Sequence, residues 1–508
     1  MNMFLAPQGR TYLIVTLSAT LSILVNFQEA YSNSYPNTAY YSFQTYINES
    51  YILRGNVDGM SEDMYTWVWS LILNIWFLGY LFGVFFTPYM TDNYGRKTSL
   101  ILANMVSLLG TVCCATGIST MRPELFFLGR IVASASCGVS FITLILFLQE
   151  TTPTSMRGVA SFLSETAFIF VSVIGMGCGL NAIFGLDLYK LVAFAIIPGI
   201  AAVLIMFPLK ETPKFLLIHR KDKKAAIEAL KYYRGYAKNY DDIIANILKE
   251  CDDKLHVPLW KALNDVLFTP HLRKALLLGI ASLQLVVGIW PIVYLSTDIL
   301  ETHFSNETAQ YASFAFIIAN FLASTFGLCY VDQFGRRPMM LGAGILNTGC
   351  LISYIVFDRL AGSVSHLYRY GCVASLIGFG ITYGGALGPI AIFISSELVA
   401  QRYRSLMQSI VFGMNTSISF VLSFVTLPMY KLISAWSFIP LFIIPSILAL
   451  TYLYRNLPET KGREIHDIVA EMIQNENPIL FARKRVASRS LSTVTMESCL
   501  DEESEKSA

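Results

Sequence analysis

Apolar residues gather along this chain into twelve runs of eighteen or more, separated by short polar links. About 20 apolar residues in helical conformation cross the hydrocarbon core of a bilayer, so the runs read as twelve crossings that use about half of the 508 residues. They lie near 11–31, 65–90, 98–117, 124–148, 160–184, 188–209, 272–300, 310–331, 338–358, 367–396, 406–429 and 434–455. Composition agrees: 54% of residues are hydrophobic and 14% charged, against about 25% charged in a soluble protein. The expected class is an all-α polytopic membrane protein. The run from Tyr12 to about Tyr31 follows Arg10 as a signal peptide would, but its length and the eleven runs behind it favour a first membrane helix.

Several function classes fall away at once. Lys and Arg (37) nearly balance Asp and Glu (35), leaving a net charge of +2 and no basic field for nucleic acid. Seven of the nine cysteines sit in apolar runs (Cys113, Cys114, Cys137, Cys178, Cys329, Cys350, Cys372), with Cys251 and Cys499 in polar segments, so they read as small packing residues. The six histidines show no metal-ligand spacing, and no hydrolase or phosphate-loop motif opens a strand-helix unit. Neither an enzyme, a metal nor a cofactor is expected.

Charge sets the orientation. The connection from Lys210 to Lys274 holds 14 Lys and Arg, and the links at 96–97, 157, 336–337 and 402–404 are basic. Both termini are therefore expected in the cytoplasm of a multi-pass protein, most simply in the plasma membrane. Two sequons, Asn48-Glu49-Ser50 and Asn306-Glu307-Thr308, then fall outside, which makes Asn48 and Asn306 glycosylation candidates. A third, at Asn415, lies inside a span. The charged, amphipathic stretch at 210–270 reads as a cytoplasmic helical linker between an N half (1–209) and a C half (271–457). The remainder, 458–508, reads as a largely disordered cytoplasmic tail, with Ser488 a candidate kinase target.

The chain repeats itself. Asp92-Asn-Tyr-Gly95-Arg96-Lys97 follows span 2, and Asp332-Gln-Phe-Gly335-Arg336-Arg337 follows span 8, 240 residues later. Glu150 with Arg157 at the end of span 4 matches Glu397 with Arg404 at the end of span 10, offset 247, and Glu211-Thr-Pro matches Pro458-Glu459-Thr with Glu211 and Glu459 offset 248. Three ordered offsets describe two six-helix pseudo-repeat halves. Arginines beside the glycine turns and carboxylates ending spans 4 and 10 make a clasp in a poorly solvated layer, where ion pairs are stronger than in water. Such a clasp can hold one face shut and part when that face opens.

The strings FLGR (127–130), QETTPTSMRG (149–158), KETPKFLL (210–217), VDQFGRRP (331–338) and LPETKGR (457–463) resemble the signature of the sugar porter family of the major facilitator superfamily. The FQ at 27–28 and YINESY at 46–51 are most similar to animal facilitative hexose transporters. The resemblance spans nearly the whole chain. It implies the major facilitator fold, a hexose or polyol substrate, and a gating network of Asp92, Arg96, Glu150, Arg157, Asp332, Arg336, Glu397 and Arg404.

A neutral polyol asks for uncharged donors and acceptors, with aromatic rings over its C–H faces. Gln284, Asn320 and Asn415 are amides within spans at the family's sugar-contacting positions, with Trp290 and Tyr294 as aromatic neighbours. Spans 7 and 10 carry matching interruptions, Gly288-Ile-Trp290-Pro291 and Gly384-Gly385-Ala-Leu-Gly388-Pro389, and broken helices at corresponding positions point to a transporter's binding site. Other family positions are replaced: Leu285, Trp290, Gly384 and Ala391-Ile392 stand where the resemblance leads one to expect glutamine, asparagine, glutamate and Pro-Trp. Glu165 in span 5 takes the place of a glutamine, and an acid inside the membrane marks a functional position by default. Ser32 stands where proton-coupled relatives carry an aspartate. The expected function is a facilitative carrier of a hexose or polyol in the lipid bilayer; a proton-coupled or charge-selective carrier using Glu165, and a non-transporting sugar sensor, are the alternatives.

Overall fold

The computed structural model describes residues 8–55, 59–153, 156–234, 240–249, 259–463 and 465–476. Among the described residues the regular structure is helical, and eleven helices are long and apolar enough to cross a membrane. The twelfth expected crossing, span 1, is a 31-residue helix, Gln8–Thr38. It carries Ser22, Asn26, Gln28, Glu29 and Asn33, all buried against other helices. Buried polar groups need partners, and two of these residues find them on other helices: the Asn26 amide donates to the Ser164 carbonyl, and Gln28 donates to Ala195 O and accepts from Thr111.

Span 1 runs past its expected end at 31, because Asn37 and Thr38 are held by Val293 O and Met176 O. The expected open loop after it contains a second helix, Tyr40–Ile52, whose Phe43, Tyr46 and Ile47 are buried. Span 2 (Glu62–Tyr94), capped by the Ser61 hydroxyl, leads through Gly95 into span 3 (Arg96–Ser119), and Pro123 starts span 4 (Pro123–Thr151). Span 5 (Arg157–Cys178) is shorter than expected, and span 6 comes in two pieces, Leu188–Ala193 and Ile196–Met206.

The linker forms helices Pro213–Ile218, Lys223–Arg234, Tyr240–Lys249 and Leu259–Phe268. Their apolar faces meet in a small cluster around Leu217, Ala226, Leu230, Ile244 and Ile247, which gives this segment a core of its own. Arg234 ties it to the membrane part by donating to the carbonyls of Glu150, Thr151 and Thr152, acceptors that the end of span 4 leaves without intrahelical donors.

In the C half, span 7 breaks between Pro270–Gln284 and Ile289–Glu301. Spans 8 (Asn306–Phe334), 9 (Arg336–Ser363) and 11 (Gln401–Ile433) are continuous. Span 10 runs Arg369–Thr382, passes through a wide turn at Tyr383–Leu387, and resumes as Gly388–Glu397. Span 12 ends with Ile444–Asn456. The tail, expected to be largely without structure, carries the helix Ile465–Glu476, which seats Ile465, Ile468 and Met472 in the core. Residues from 477 onward, including Ser488 and Cys499, and also Cys251, lie outside the described residues.

Candidate functional site

Both helix breaks have a local cause. In span 7 a four-residue turn, Leu285–Gly288, precedes Ile289, and Pro291 in the next turn has no N–H to continue the earlier ladder. In span 10 the widened turn carries the Tyr383 ring over Gly388, where a Cβ would stand 2.5 Å from the ring. That placement sends the Tyr383 hydroxyl across to the N half, where it donates to Glu165 Oε1 at 2.9 Å.

Between the halves lies a cavity. Glu29, Asn33, Glu165, Trp290, Tyr383 and Asn415 are among its walls. A second cavity adjoins it, sharing Asn33, Glu165, Trp290 and Tyr383 and adding Asn320. Trp290 stands edge-on to Phe77 and Phe168, with ring centroids 6.3 and 5.8 Å away. The carbonyl oxygens of Asn33, Asn320 and Asn415 have no hydrogen-bond partner.

Of the sequence-derived substrate residues, Glu165, Trp290, Asn320 and Asn415 thus meet around one space. Gln284 and Tyr294 do not line it. Gln284 is half-buried on the last turn before the break, and its neighbours Leu283 and Val286 take the wall instead. Tyr294 is one turn beyond Trp290 and faces a separate small cavity with Asn37 and Trp69. Gly384 is occupied by geometry: a Cβ there would come within 2.2 Å of the Asn320 carbonyl, so no larger side chain fits without moving span 8.

Contacts joining the halves stand on both sides of this cavity. Toward the linker, Ser405 donates to Asp92 Oδ2 and Ser396 to Gln149 Oε1, at 2.9 and 2.8 Å. At the opposite end Asn37 donates to Val293 O and Ser296 Oγ, at 2.7 and 3.2 Å.

The charged layer beside the linker is built twice. In the N half Arg96 Nε meets Glu150 Oε1 at 3.1 Å, with the two side chains 1% and 0% exposed, while Thr212 donates to the other Glu150 oxygen at 2.6 Å. Asp92 lies 3.8 Å from the same guanidinium, which also faces the Phe215 ring. Gly95 and Gly335, at φ of +96° and +91°, turn the chain into spans 3 and 9. The first N–H groups of those helices lack intrahelical acceptors, and a remote glutamate accepts them. Glu211 takes those of Arg96 and Lys97, and Glu459 takes those of Arg336 and Arg337. Burial pushes the Glu211 carboxyl above its usual range, and the Thr212 and Lys97 N–H groups pull it back.

In the C half Arg336, Glu397 and Arg404 are 3%, 4% and 1% exposed, and Glu397 Oε2 accepts no hydrogen bond among the described residues. The side chains of Arg157, Asn306 and Asp332 lie outside the described residues. Asn48 sits on the helix after span 1 with its carbonyl accepting from Met60 N–H, and Ser50 of the same sequon is buried.

Glu211 and Glu459 are legible in the sequence only as repeat members; that they cap the first turns of spans 3 and 9 is not. Arg130, the arginine of FLGR, also went unassigned. It is 1% exposed, donates to the Ser32 carbonyl at 3.2 Å, and lies over Trp76 at 5.1 Å. Its only signal was a charged residue inside an apolar run.

Comparison with known proteins agrees with this architecture. Residues 12–471 match the family described as "Sugar (and other) transporter". Solute carrier family 2, facilitated glucose transporter member 3 of Rattus norvegicus is 26% identical over 467 residues, covering 89% of this chain and 92% of the relative. Member 7 of Homo sapiens is 26% identical over 487 residues, covering 94% and 91%. Among solved structures, the proton:xylose symporter XylE bound to 6-bromo-6-deoxy-D-glucose superposes with a TM-score of 0.73 at 17% identity, over 91% of this chain and 98% of that one.

Proposed function

This chain belongs to the sugar (and other) transporter family, and from that membership we propose that it carries a hexose or related polyol by alternating access as a facilitative uniporter. The observation that supports this most directly is the Tyr383 to Glu165 hydrogen bond, which spans the two halves at the central cavity. A group held by both halves is where a substrate can report its presence to both, and the linked halves can then rock about it. In this reading Glu165, Trp290, Asn320 and Asn415 contact the substrate from the cavity walls, while Gln284 and Tyr294 support the broken span 7. Asp92, Arg96, Glu150, Arg157, Asp332, Arg336, Glu397 and Arg404 form the gate on the linker side. Both termini and the linker face the cytoplasm, and the membrane is the plasma membrane.

Proton coupling through Glu165 is the second reading. Uniport is favoured because Ser32 offers Arg130 only a backbone carbonyl, so that pair cannot gain or lose a proton. Uptake of labelled hexoses and polyols into transport-deficient cells, with internal pH recorded, tests both. Saturable uptake and counterflow without acidification is the expected result. Acidification during uptake that Glu165→Gln abolishes would replace uniport by coupling, and no uptake of any polyol by protein present in the membrane would leave the sensor reading.

A further inference from the structure

Two carboxylates reach the central cavity from the N half, Glu29 of span 1 and Glu165 of span 5, which are 5% and 4% exposed. No lysine, arginine or histidine lines either of the two adjoining cavities. Arg130 stands behind Trp76 and spends one N–H on the Ser32 carbonyl, while Tyr80 and Tyr383 bring neutral hydroxyls. A buried carboxylate without a counter-charge is costly in a membrane interior, and here two face one space.

Six aromatic side chains, Trp76, Phe77, Phe141, Phe168, Trp290 and Phe412, line the same cavity. Ring faces attract a cation within about 6 Å of the centroid and gain most when it is desolvated. On the C-half side Leu283, Val286 and Ile392 offer nothing to a hydroxyl, and the polar residues there are confined to Asn415, Thr416 and Ser419 of span 11 and Tyr383 of span 10. A hexose, with a hydroxyl on nearly every carbon, would leave several of them unpaired against such a wall. The polar groups that do lack partners include Asn33 and Asn320, 3% and 1% exposed, each with an idle carbonyl oxygen suited to an N–H.

We infer that the polyol this cavity takes carries an ammonium group: an amino polyol, its nitrogen between Glu29 and Glu165 against the aromatic wall and its hydroxyls toward Asn33, Asn320 and Asn415. The inference rests on the carrier reading above and narrows its substrate class. The ammonium supplies the missing counter-charge and several N–H donors at once. Each turnover then moves one positive charge.

The test uses the whole chain purified into proteoliposomes, with labelled glucosamine, glucose and N-acetylglucosamine at a pH where the free amine is protonated. N-acetylation removes the charge and keeps the ring. Expected is a preference for glucosamine over both neutral sugars of about tenfold or more, equivalent to about 1.4 kcal/mol, with uptake that rises when the vesicle interior is made negative. Glu29→Gln and Glu165→Gln should each bring the preference to within about twofold; being a ratio within one preparation, it does not depend on how much protein folds. Thermal shift of the detergent-purified protein separates the two levels. Neutral sugars carried as well as glucosamine by the natural sequence would overturn the inference and keep the carrier. A thermal shift by glucosamine alone, without flux, would uphold the inference and remove the carrier. Neither flux nor shift with any of the three would overturn both.

Discussion

Arg96 and Glu150 are the most deeply buried ion pair at the linker end, and burial decides what their loss should do. Removing one partner leaves the other charged and dry, at a cost of about 3–5 kcal/mol, whereas removing both leaves no orphan charge. Glu150→Ala alone should therefore lower the unfolding midpoint more than Arg96→Ala with Glu150→Ala together, as read by thermal denaturation in detergent. Losses that simply add would show the two are not coupled. The amides divide on the same basis. Asn415 lines the central cavity with an unpartnered carbonyl, while Gln284 does not line it. Asn415→Ala should weaken apparent substrate affinity by about 1–3 kcal/mol, or roughly 5- to 150-fold, while Gln284→Ala should change it less than about threefold. Equal effects at both would move the binding surface toward span 7.

Among the elements, the contact of span 8 with span 10 is set by one missing side chain. Gly384 lets the Asn320 backbone approach to where a Cβ would be 2.2 Å from its carbonyl. Gly384→Ala has to push the two helices apart beside the cavity, and is expected to cut transport strongly with protein still in the membrane. Gly349, on span 9, has no atom within 4 Å of its own Cβ position. Gly349→Ala should be neutral or raise stability by about 0.5–1 kcal/mol, since alanine has less freedom to lose in a helix. Similar thermal and transport data for the two variants would mean that close approach at 384 is not needed. The glutamate-capped helix starts are a comparable device: Glu211 and Glu459 join the end of each half to its own glycine turn, which makes the linker-side layer of each half a single unit.

For the molecule as a whole, orientation is the property with the simplest readout. In the proposed orientation, drawn from the charge asymmetry of the connections, the linker is inside and the helix Tyr40–Ile52 outside. Asn48 should then carry glycan added before that helix folds, because the finished structure buries Ser50 and ties the Asn48 carbonyl to Met60. Glycosidase treatment should shift the natural protein further than it shifts Asn48→Gln. A protease-accessible linker on the outer face of intact cells would reverse the orientation and, with it, the assignment of the Arg96 and Glu150 layer to the inner gate.

Hydropathy, charge bias and three constant offsets were enough for the class, the two halves and the positions of the broken helices, because each of these follows from local chemistry: apolar length fixes a crossing, glycine and proline fix a break. Eleven of the crossings meet that criterion in the folded chain. What only the tertiary structure decided is which polar side chains meet. Gln284 and Tyr294 share span 7 with Trp290 yet do not line the central cavity, Glu29 joins Glu165 from a different span, and Tyr383 crosses to the opposite half. A helix turns 100° per residue, so one extra residue in the span 10 turn or four unwound residues in span 7 redirects every side chain beyond them. Sequence spacing does not record that rotation, and the chemistry of the site depends on it.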